Sequence, residues 1–156
     1  MTTNSRLSTG TSRCTWMKYY ETFAFEGIGY QKLFHSRNWR VAMLNFIDEL
    51  KMDRIGYVEC HRETDEAFVL LQGRASLFFA EENAGRIERF VCLPLESGKV
   101  YKVPAGVYHS HTLSEDAKLL VVEEEDTGYH NSPRIYLTPA DRSAMEQSFR
   151  EANHGI

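Results

Sequence analysis

The sequence has little cysteine, and its cysteines are not arranged to form a cross-link or a zinc site. Three cysteines occur among 156 residues, Cys14, Cys60 and Cys92, and no two of them form a Cys-x-x-Cys pair. An odd number at these spacings excludes a disulfide framework and a zinc finger. We therefore expect free thiols, with Cys60 as a small buried apolar side chain rather than a nucleophile.

Long apolar runs and an excess of positive charge are also missing. Apolar runs such as residues 68–71 and 119–122 are far shorter than the roughly 20 residues that cross a bilayer. Residues 1–12 lack the apolar core of a secretory signal. With 18 Lys and Arg against 22 Asp and Glu, the net charge is -4, which argues against nucleic-acid binding. We expect a cytoplasmic protein with neither a membrane nor a nucleic-acid partner.

The length predicts one compact domain, because 156 residues are close to the roughly 150 of an average domain. Hydrophobic residues make up 42% of the chain, which allows a sizeable core and excludes global disorder. The composition divides the chain into a flexible tail, an aromatic arm, a barrel and an extension with a helix. These segments span residues 1–14, 15–38, 39–130 and 131–156, respectively.

The arm is rich in aromatic side chains and carries Gly27 and Gly29 near its middle. These glycines do not begin a dinucleotide-binding loop, because the position of the third glycine is taken by Lys32. We expect an irregular segment laid over the barrel or over a partner subunit. Because an exposed arm would leave a large apolar patch in water, we expect a homodimer whose interface includes the arm.

From Trp39 onward, short runs of β-branched and aromatic residues are separated by turn-forming residues, the rhythm of an antiparallel barrel of two facing sheets. We expect the acidic residues 123–126 to be a solvated strand end without a functional role. Gly73 ends an apolar run, where a tight turn needs a positive φ. The predicted strands cover residues 40–47, 55–61, 66–72, 75–80, 87–93, 99–103, 109–113 and 118–124.

The end of the chain predicts a helix over residues 138–152. Thr138 is a good N-cap, Pro139 occupies the favoured first helical position, and Asp141 stands three residues after the cap. Gly155 is a plausible stop signal. The helix is expected to cover an open edge or end of the barrel.

Two stretches combine histidine and glutamate on predicted strands. Side chains two apart on a strand share a face. Glu59 therefore lies on the same face as His61, and His109 lies on the same face as His111. Glu66 begins an apolar strand, where a buried carboxylate is costly unless something pairs with it. If these faces line the barrel interior, imidazole and carboxylate groups converge there, a combination that suits several divalent transition metals.

The spacing in these stretches resembles the two motifs of the cupin superfamily. In that family a histidine, three or four residues, a glutamate, six residues and a glycine follow one another, as in residues 61–73. The second motif is matched by residues 98–109, whereas Glu59 and Leu113 replace a histidine and an asparagine of the family pattern. The matching residues are His61, Glu66, Gly73, Gly98, Pro104, Gly106 and His109.

The resemblance covers about residues 40–125 and implies an all-β fold. The expected architecture is an antiparallel double-stranded β-helix, the jelly-roll barrel of cupins, here with a C-terminal helix. The resemblance also implies one divalent metal ion, Fe, Mn, Ni or Zn, bound by His61, Glu66 and His109, with Glu59 as fourth ligand. Glu59, where it is not a ligand, or His111 would then move a proton. Each histidine taken singly could equally be an ordinary hydrogen-bonded residue.

Proteins that look like this include metal-dependent isomerases and dioxygenases. We expect such an enzyme to act on a small polar substrate, of sugar or carboxylate type, inside the barrel. One alternative is a metal-free, epimerase-like protein in which His61 or His109 is the base and Tyr57, Tyr101 or Lys102 donates a proton. Another is a barrel that binds a ligand without catalysis, since the fold does not decide among these functions.

Overall fold

This computed structural model of the chain describes residues 19–153. The expected tail over residues 1–14, the start of the arm, Cys14 and Gly155 lie outside the described residues. A short 3-10 turn, Asp48–Leu50, lies between the second and third strands. The described part contains β1 (Tyr30–Ser36), β2 (Trp39–Asn45), β3 (Tyr57–Glu59), β4 (Glu66–Gln72), β5 (Ala75–Asn83), β6 (Arg86–Pro94), β7 (Val100–Val103), β8 (Tyr108–Leu113), β9 (Lys118–Glu124), β10 (Arg134–Tyr136) and α1 (Pro139–Asn153).

The strands form two antiparallel sheets of five strands each. The first has the order β1-β2-β9-β4-β7 and the second the order β10-β3-β8-β5-β6. Every run predicted as a strand is one, with ends shifted by a few residues; β3 is shorter than expected because it covers only Tyr57–Glu59. The predicted all-β barrel with a C-terminal helix is confirmed.

The structure differs from the sequence analysis at two edge strands. Part of the expected irregular arm, Tyr30–Ser36, is strand β1 and pairs with β2 at the edge of the first sheet. Most β1 side chains are exposed, so the alternation that marks a half-buried strand is missing. Arg134–Tyr136, strand β10, has only three residues, too few to show a period. The homodimer expected from the arm stays a prediction.

The apolar core lies on both faces of the second sheet. Leu77 packs between the two sheets with Phe68 and Leu119, whereas the neighbouring Phe78 packs under the helix with Met145. Consecutive residues of β5 are therefore both buried, because α1 covers the face that the first sheet does not. The central strand β8, which carries His109, is held in place from both sides of the sheet.

The helix begins as its sequence predicts. The Thr138 hydroxyl accepts a hydrogen bond from the backbone N–H of Asp141 at 3.2 Å, and the Asp141 carboxylate accepts one from the backbone N–H of Thr138 at 2.9 Å. This reciprocal cap satisfies two amides that the first turn leaves without partners.

Gly73, in the turn between β4 and β5, has a φ of +72°, as expected. A Cβ there would lie 2.6 Å from the Cα of Ala117, whereas Gly85, with a φ of +80°, has nothing within 4 Å of its Cβ position. Gly85→Ala should therefore lose only the roughly 1–2 kcal/mol of left-handed strain. Gly73→Ala should lose about 2 kcal/mol more, because its clash adds overpacking.

Urea unfolding of both variants checks this difference. Gly85→Ala is the matched control, since it shares the backbone conformation of Gly73→Ala without the contact. Equal losses of unfolding free energy in the two variants would contradict the proposed close approach to Ala117.

Candidate metal centre

Three buried side chains from three parts of the barrel meet at one carboxylate oxygen. His61 follows β3, Glu66 begins β4 and His109 lies on β8. The Oε2 atom of Glu66 lies 3.1 Å from Nε2 of His61 and 2.9 Å from Nε2 of His109. The three ligand atoms all lie within 4.8 Å of one another. The structure thus brings together three of the four predicted metal ligands.

The outer nitrogen of each imidazole is also engaged. Nδ1 of His109 lies 3.0 Å from the carbonyl oxygen of Val107, and Nδ1 of His61 lies 2.8 Å from the hydroxyl of Ser132. A carbonyl oxygen only accepts hydrogen bonds, so Nδ1 of His109 carries a proton. In a neutral His109 ring, Nε2 therefore presents a lone pair to Glu66.

A lone pair facing a carboxylate oxygen at 2.9 Å is repulsive unless a cation lies with them. That cation is either a proton, which makes the His109 ring an imidazolium, or a metal ion bound by both atoms. The bond from Nδ1 to a backbone carbonyl is the outer contact that orients metal-binding histidines in proteins. Two imidazoles and one carboxylate also form a donor set that suits Fe, Mn, Ni and Zn. The residues present therefore fit the metal that the sequence predicts.

The charges of the cluster reinforce one another. Burial alone raises the pKa of Glu66, but hydrogen bonds from His109 and His61 outweigh burial and lower that pKa to about 2. Burial lowers the pKa of His61, yet the Glu66 carboxylate reverses the effect and leaves this pKa above its usual value. Without a metal, His61 thus keeps its proton at pH values where an ordinary histidine releases it.

Glu59, the fourth predicted ligand, lies beside this group without joining it. Its Oε2 atom accepts hydrogen bonds from Nε and Nη2 of Arg134 at 3.1 and 3.0 Å. Glu59 is directly opposite His109 in the pairing of β3 with β8, so it shares the interior face with the cluster. Arg134 cannot be recognised from the sequence, because its strand β10 has only three residues.

His111 lies on the same face of β8 as His109, and its ring is 5.8 Å from that of Phe68. Its Nδ1 atom is buried, and no described residue hydrogen-bonds to it. Burial lowers the pKa of His111, so the ring is neutral near pH 7. Because an unpaired buried N–H costs more than an unpaired lone pair, we expect the proton on Nε2.

A cavity of about 390 Å³ lies next to the cluster, within the size range of small-molecule sites. His61, Glu66, His111 and Glu59 all contribute to its wall, together with further polar residues and several apolar side chains. The apolar members include Leu44, Phe68 and Val121.

Glu123 corrects the expectation of a solvated strand end over residues 123–126. It is buried and lines the cavity. Its Oε1 atom accepts hydrogen bonds from the Tyr30 hydroxyl at 2.7 Å and from Nε and Nη2 of Arg40 at 3.1 and 3.0 Å. The alternation of inward Leu119 and Val121 on β9 would have placed Glu123 inside.

The residues of the metal-free alternative are dispersed. Tyr57 lines the cavity, whereas Lys102 is exposed and pairs with Asp65 at 2.8 Å. The Tyr101 hydroxyl accepts a hydrogen bond from the backbone N–H of Glu96 at 2.9 Å. Among the three predicted proton donors, Tyr57 is therefore the one that lines this cavity.

Cys60 is buried, as predicted, and burial raises the pKa of its thiol. A thiol whose pKa is raised has little thiolate at neutral pH and is a poor nucleophile.

No helix within residues 19–153 has the length and apolar character needed to cross a bilayer.

Neither a family model nor a curated protein matches the sequence, but solved structures resemble the fold. The Streptomyces nucleoside dehydratase Pac13, in a form with uridine, is 9% identical with a TM-score of 0.53; the match covers 81% of this chain and 97% of Pac13. A cupin-2 domain protein from Shewanella frigidimarina is 19% identical, covering 65% and 85% of the two chains, with a TM-score of 0.47. A cupin superfamily protein from Desulfitobacterium hafniense is 21% identical, covering 69% and 84%, with a TM-score of 0.45.

The likeness to Pac13 extends over nearly the whole of that protein and concerns the fold alone. This chain itself has two facing antiparallel sheets, with the motif residues His61, Glu66 and His109 gathered between them. The chain has the cupin fold, as the motif spacing predicted.

The cluster predicts an unusual dependence of stability on pH. Because the pKa of His61 is raised in the folded protein, the stability it adds is complete below the unfolded value of about 6.5 and is lost as pH rises through the folded value. In chelator, the Tm should therefore fall as the pH rises from about 6 to about 9.

Thermal unfolding followed by circular dichroism checks this slope. Glu66→Gln should flatten it, because the variant lacks the charge that raises the pKa of His61. With Zn(II) bound the slope should reverse, since protons compete with the metal for imidazole. The same slope in Glu66→Gln and the unmodified chain would show that the cluster does not control it.

Proposed function

We propose that the chain binds one divalent transition metal through His61, Glu66 and His109 and is a metal-dependent enzyme for a small polar substrate. One observation carries this proposal: the lone pair of a neutral His109 points at the Glu66 carboxylate, with the ring fixed from behind by the carbonyl of Val107. This arrangement is ready for a cation that both residues bind. The adjoining cavity supports a role beyond metal storage.

Apolar and polar side chains around the cavity would bind different parts of a substrate. The apolar wall, including Leu44 and Phe68, excludes water from one side of a bound molecule. On the other side, His111 presents Nε2–H as a neutral hydrogen-bond donor. A divalent ion bound at the cluster supplies Lewis acidity for neighbouring substrate oxygens.

Carboxylates beside the cluster are the candidates for proton transfer. Glu123 uses one oxygen for the hydrogen bonds from Tyr30 and Arg40, and no described residue bonds to its Oε2 atom. Burial raises the pKa of Glu123, and the nearby negative charge of Glu66 raises it further. A carboxylate with a raised pKa takes up a proton more readily than an ordinary carboxylate does, which is what a proton-transfer group needs. An isomerase needs a group that moves a proton, and Glu123 could serve as this group. A dioxygenase depends mainly on the metal ion.

A metal-free acid-base enzyme is the second candidate. It is favoured by the distances between Glu66 and both histidines, which are those of direct hydrogen bonds. Such bonds need only protons and no metal ion. In this candidate one of the two rings, His61 or His109, is the base, and Tyr57, which lines the cavity, donates a proton. A barrel that binds a ligand without turnover has the same site and differs only in its lack of reaction.

Metal titration of the apo protein tests the first candidate. The unmodified chain should bind one equivalent of Zn(II) or Mn(II), measured by calorimetry and by elemental analysis of untagged protein. His109→Ala and Glu66→Gln should each weaken binding by about 100-fold or more, because each removes one of three ligands.

His130→Ala is the matched control, since His130 is exposed and lies outside the cluster. This variant should bind metal like the unmodified chain, and circular dichroism should show all variants folded. Full occupancy in folded His109→Ala would remove the proposed site. Turnover of sugars or oxo-acids that survives both chelation and Glu66→Gln would instead support the metal-free candidate.

A further inference from the structure

Three interior side chains lie in a row across neighbouring strands of the second sheet. Arg134 is directly opposite Glu59 in the pairing of β10 with β3, and Glu59 is directly opposite His109 in the pairing of β3 with β8. Directly opposite residues share a face and have Cβ atoms about 4.5–5.5 Å apart. Glu59 therefore stands between a guanidinium group and a metal-binding imidazole, and it can bind to either side.

In the structure Glu59 binds to the arginine, which is itself firmly held. Nε and Nη2 of Arg134 both donate to Oε2 of Glu59. The guanidinium carbon lies 3.9 Å from the ring centre of Tyr57 and 4.3 Å from that of Tyr129. A guanidinium close to two tyrosine rings is attracted by the electrons of both rings.

We propose that Arg134, by its hydrogen bonds to Glu59, prevents Glu59 from binding the metal. The protein then supplies three ligands and leaves open the coordination position that Glu59 would otherwise fill. The inference rests on the metal site proposed above. It also departs from the sequence analysis, which made Glu59 the fourth ligand. Arg134 acts through Glu59 and is a positioning residue.

The charges of the cavity indicate what the open side takes. Glu59 is neutralised by Arg134, and Glu123 is paired with Arg40 at 3.0 Å. A divalent ion with Glu66 as its single carboxylate ligand then leaves one formal positive charge (+2 from the ion, -1 from Glu66). The site therefore favours a small monoanionic oxygen ligand, such as a carboxylate or an enolate. If Glu59 were released to the ion, it would cancel this charge and fill the position.

The test uses Co(II), whose visible absorption reports coordination, and azide as a small anionic probe of open positions. Affinity is measured by competition with a chelator. The unmodified chain should bind Co(II) and change its spectrum when azide is added. Arg134→Met should bind Co(II) about tenfold more tightly, because Glu59 becomes a ligand. At the same azide concentration, its spectrum should not change.

Two further variants separate ligation from a general effect of charge. Arg134→Met combined with Glu59→Gln has the same net charge as the unmodified chain, and it should recover both the original affinity and the azide response. Glu59→Gln alone should keep the affinity of the unmodified chain within about threefold, because Glu59 is not a ligand there. It should also retain the azide response.

Several outcomes would contradict the proposed role of Arg134 without contradicting the metal site. One is a tenfold loss of Co(II) affinity in Glu59→Gln, which would show that Glu59 already binds the ion. Another is a folded Arg134→Met variant that matches the unmodified chain in both affinity and azide response. If Arg134→Met does not fold, the azide responses of the unmodified chain and of Glu59→Gln test the proposal. If azide changes neither Co(II) spectrum, the ion has no open coordination position. Failure of the unmodified chain to bind Co(II) at all would reject the metal site itself.

Discussion

The site depends on one buried oxygen atom, Oε2 of Glu66, that two imidazoles share. An ionised carboxylate placed in an apolar barrel costs several kcal/mol unless charged partners compensate it. His61 and His109 provide that compensation, and they come from opposite sides of Glu66 in the chain. The interaction therefore links the loop after β3, the start of β4 and the central strand β8. Its geometry favours a cation, and exchange of a proton for the proposed metal at this point would connect stability, metal affinity and pH.

The remaining carboxylates of the cavity are each matched by an arginine. Glu59 pairs with Arg134, and Glu123 pairs with Arg40. Each pair joins different strands, β3 with β10 and β9 with β2, and each holds a carboxylate near the cluster in a fixed position. As a result, the unbalanced charge of the interior is concentrated at Glu66 and whatever cation it binds. A substrate that enters the cavity meets this charge beside an apolar wall.

The sequence was informative wherever a residue's neighbours along the chain determine its environment. Alternation placed the strands, and the spacing from His61 through Glu66 to Gly73 identified the fold and three convergent side chains. Thr138 and Asp141 predicted the start of the helix by local hydrogen bonding alone. These features depend on spacings of only a few residues along the chain, two for a strand and three for the helix cap, which a single sequence displays directly.

What the sequence did not show depends on pairing between distant strands. Arg134 reaches Glu59 only because β10 adds to the edge of the second sheet, and a three-residue strand carries no period. Tyr30 reaches Glu123 through the exposed edge strand β1, whose polar residues conceal its pairing. Whether Glu59 is a ligand or a partner of Arg134 follows from this pairing, and no local pattern distinguishes the two roles.

Diffraction from crystals soaked in Zn(II) above neutral pH, recorded at the zinc absorption edge, tests the central claim most directly. The account predicts one anomalous peak about 2.0–2.2 Å from Nε2 of His61, Nε2 of His109 and a carboxylate oxygen of Glu66. Nδ1 of His109 should still donate to the carbonyl of Val107. A saturated crystal with no peak there, and with Glu66 still hydrogen-bonded to both rings, would contradict it and identify the cation of this site as a proton.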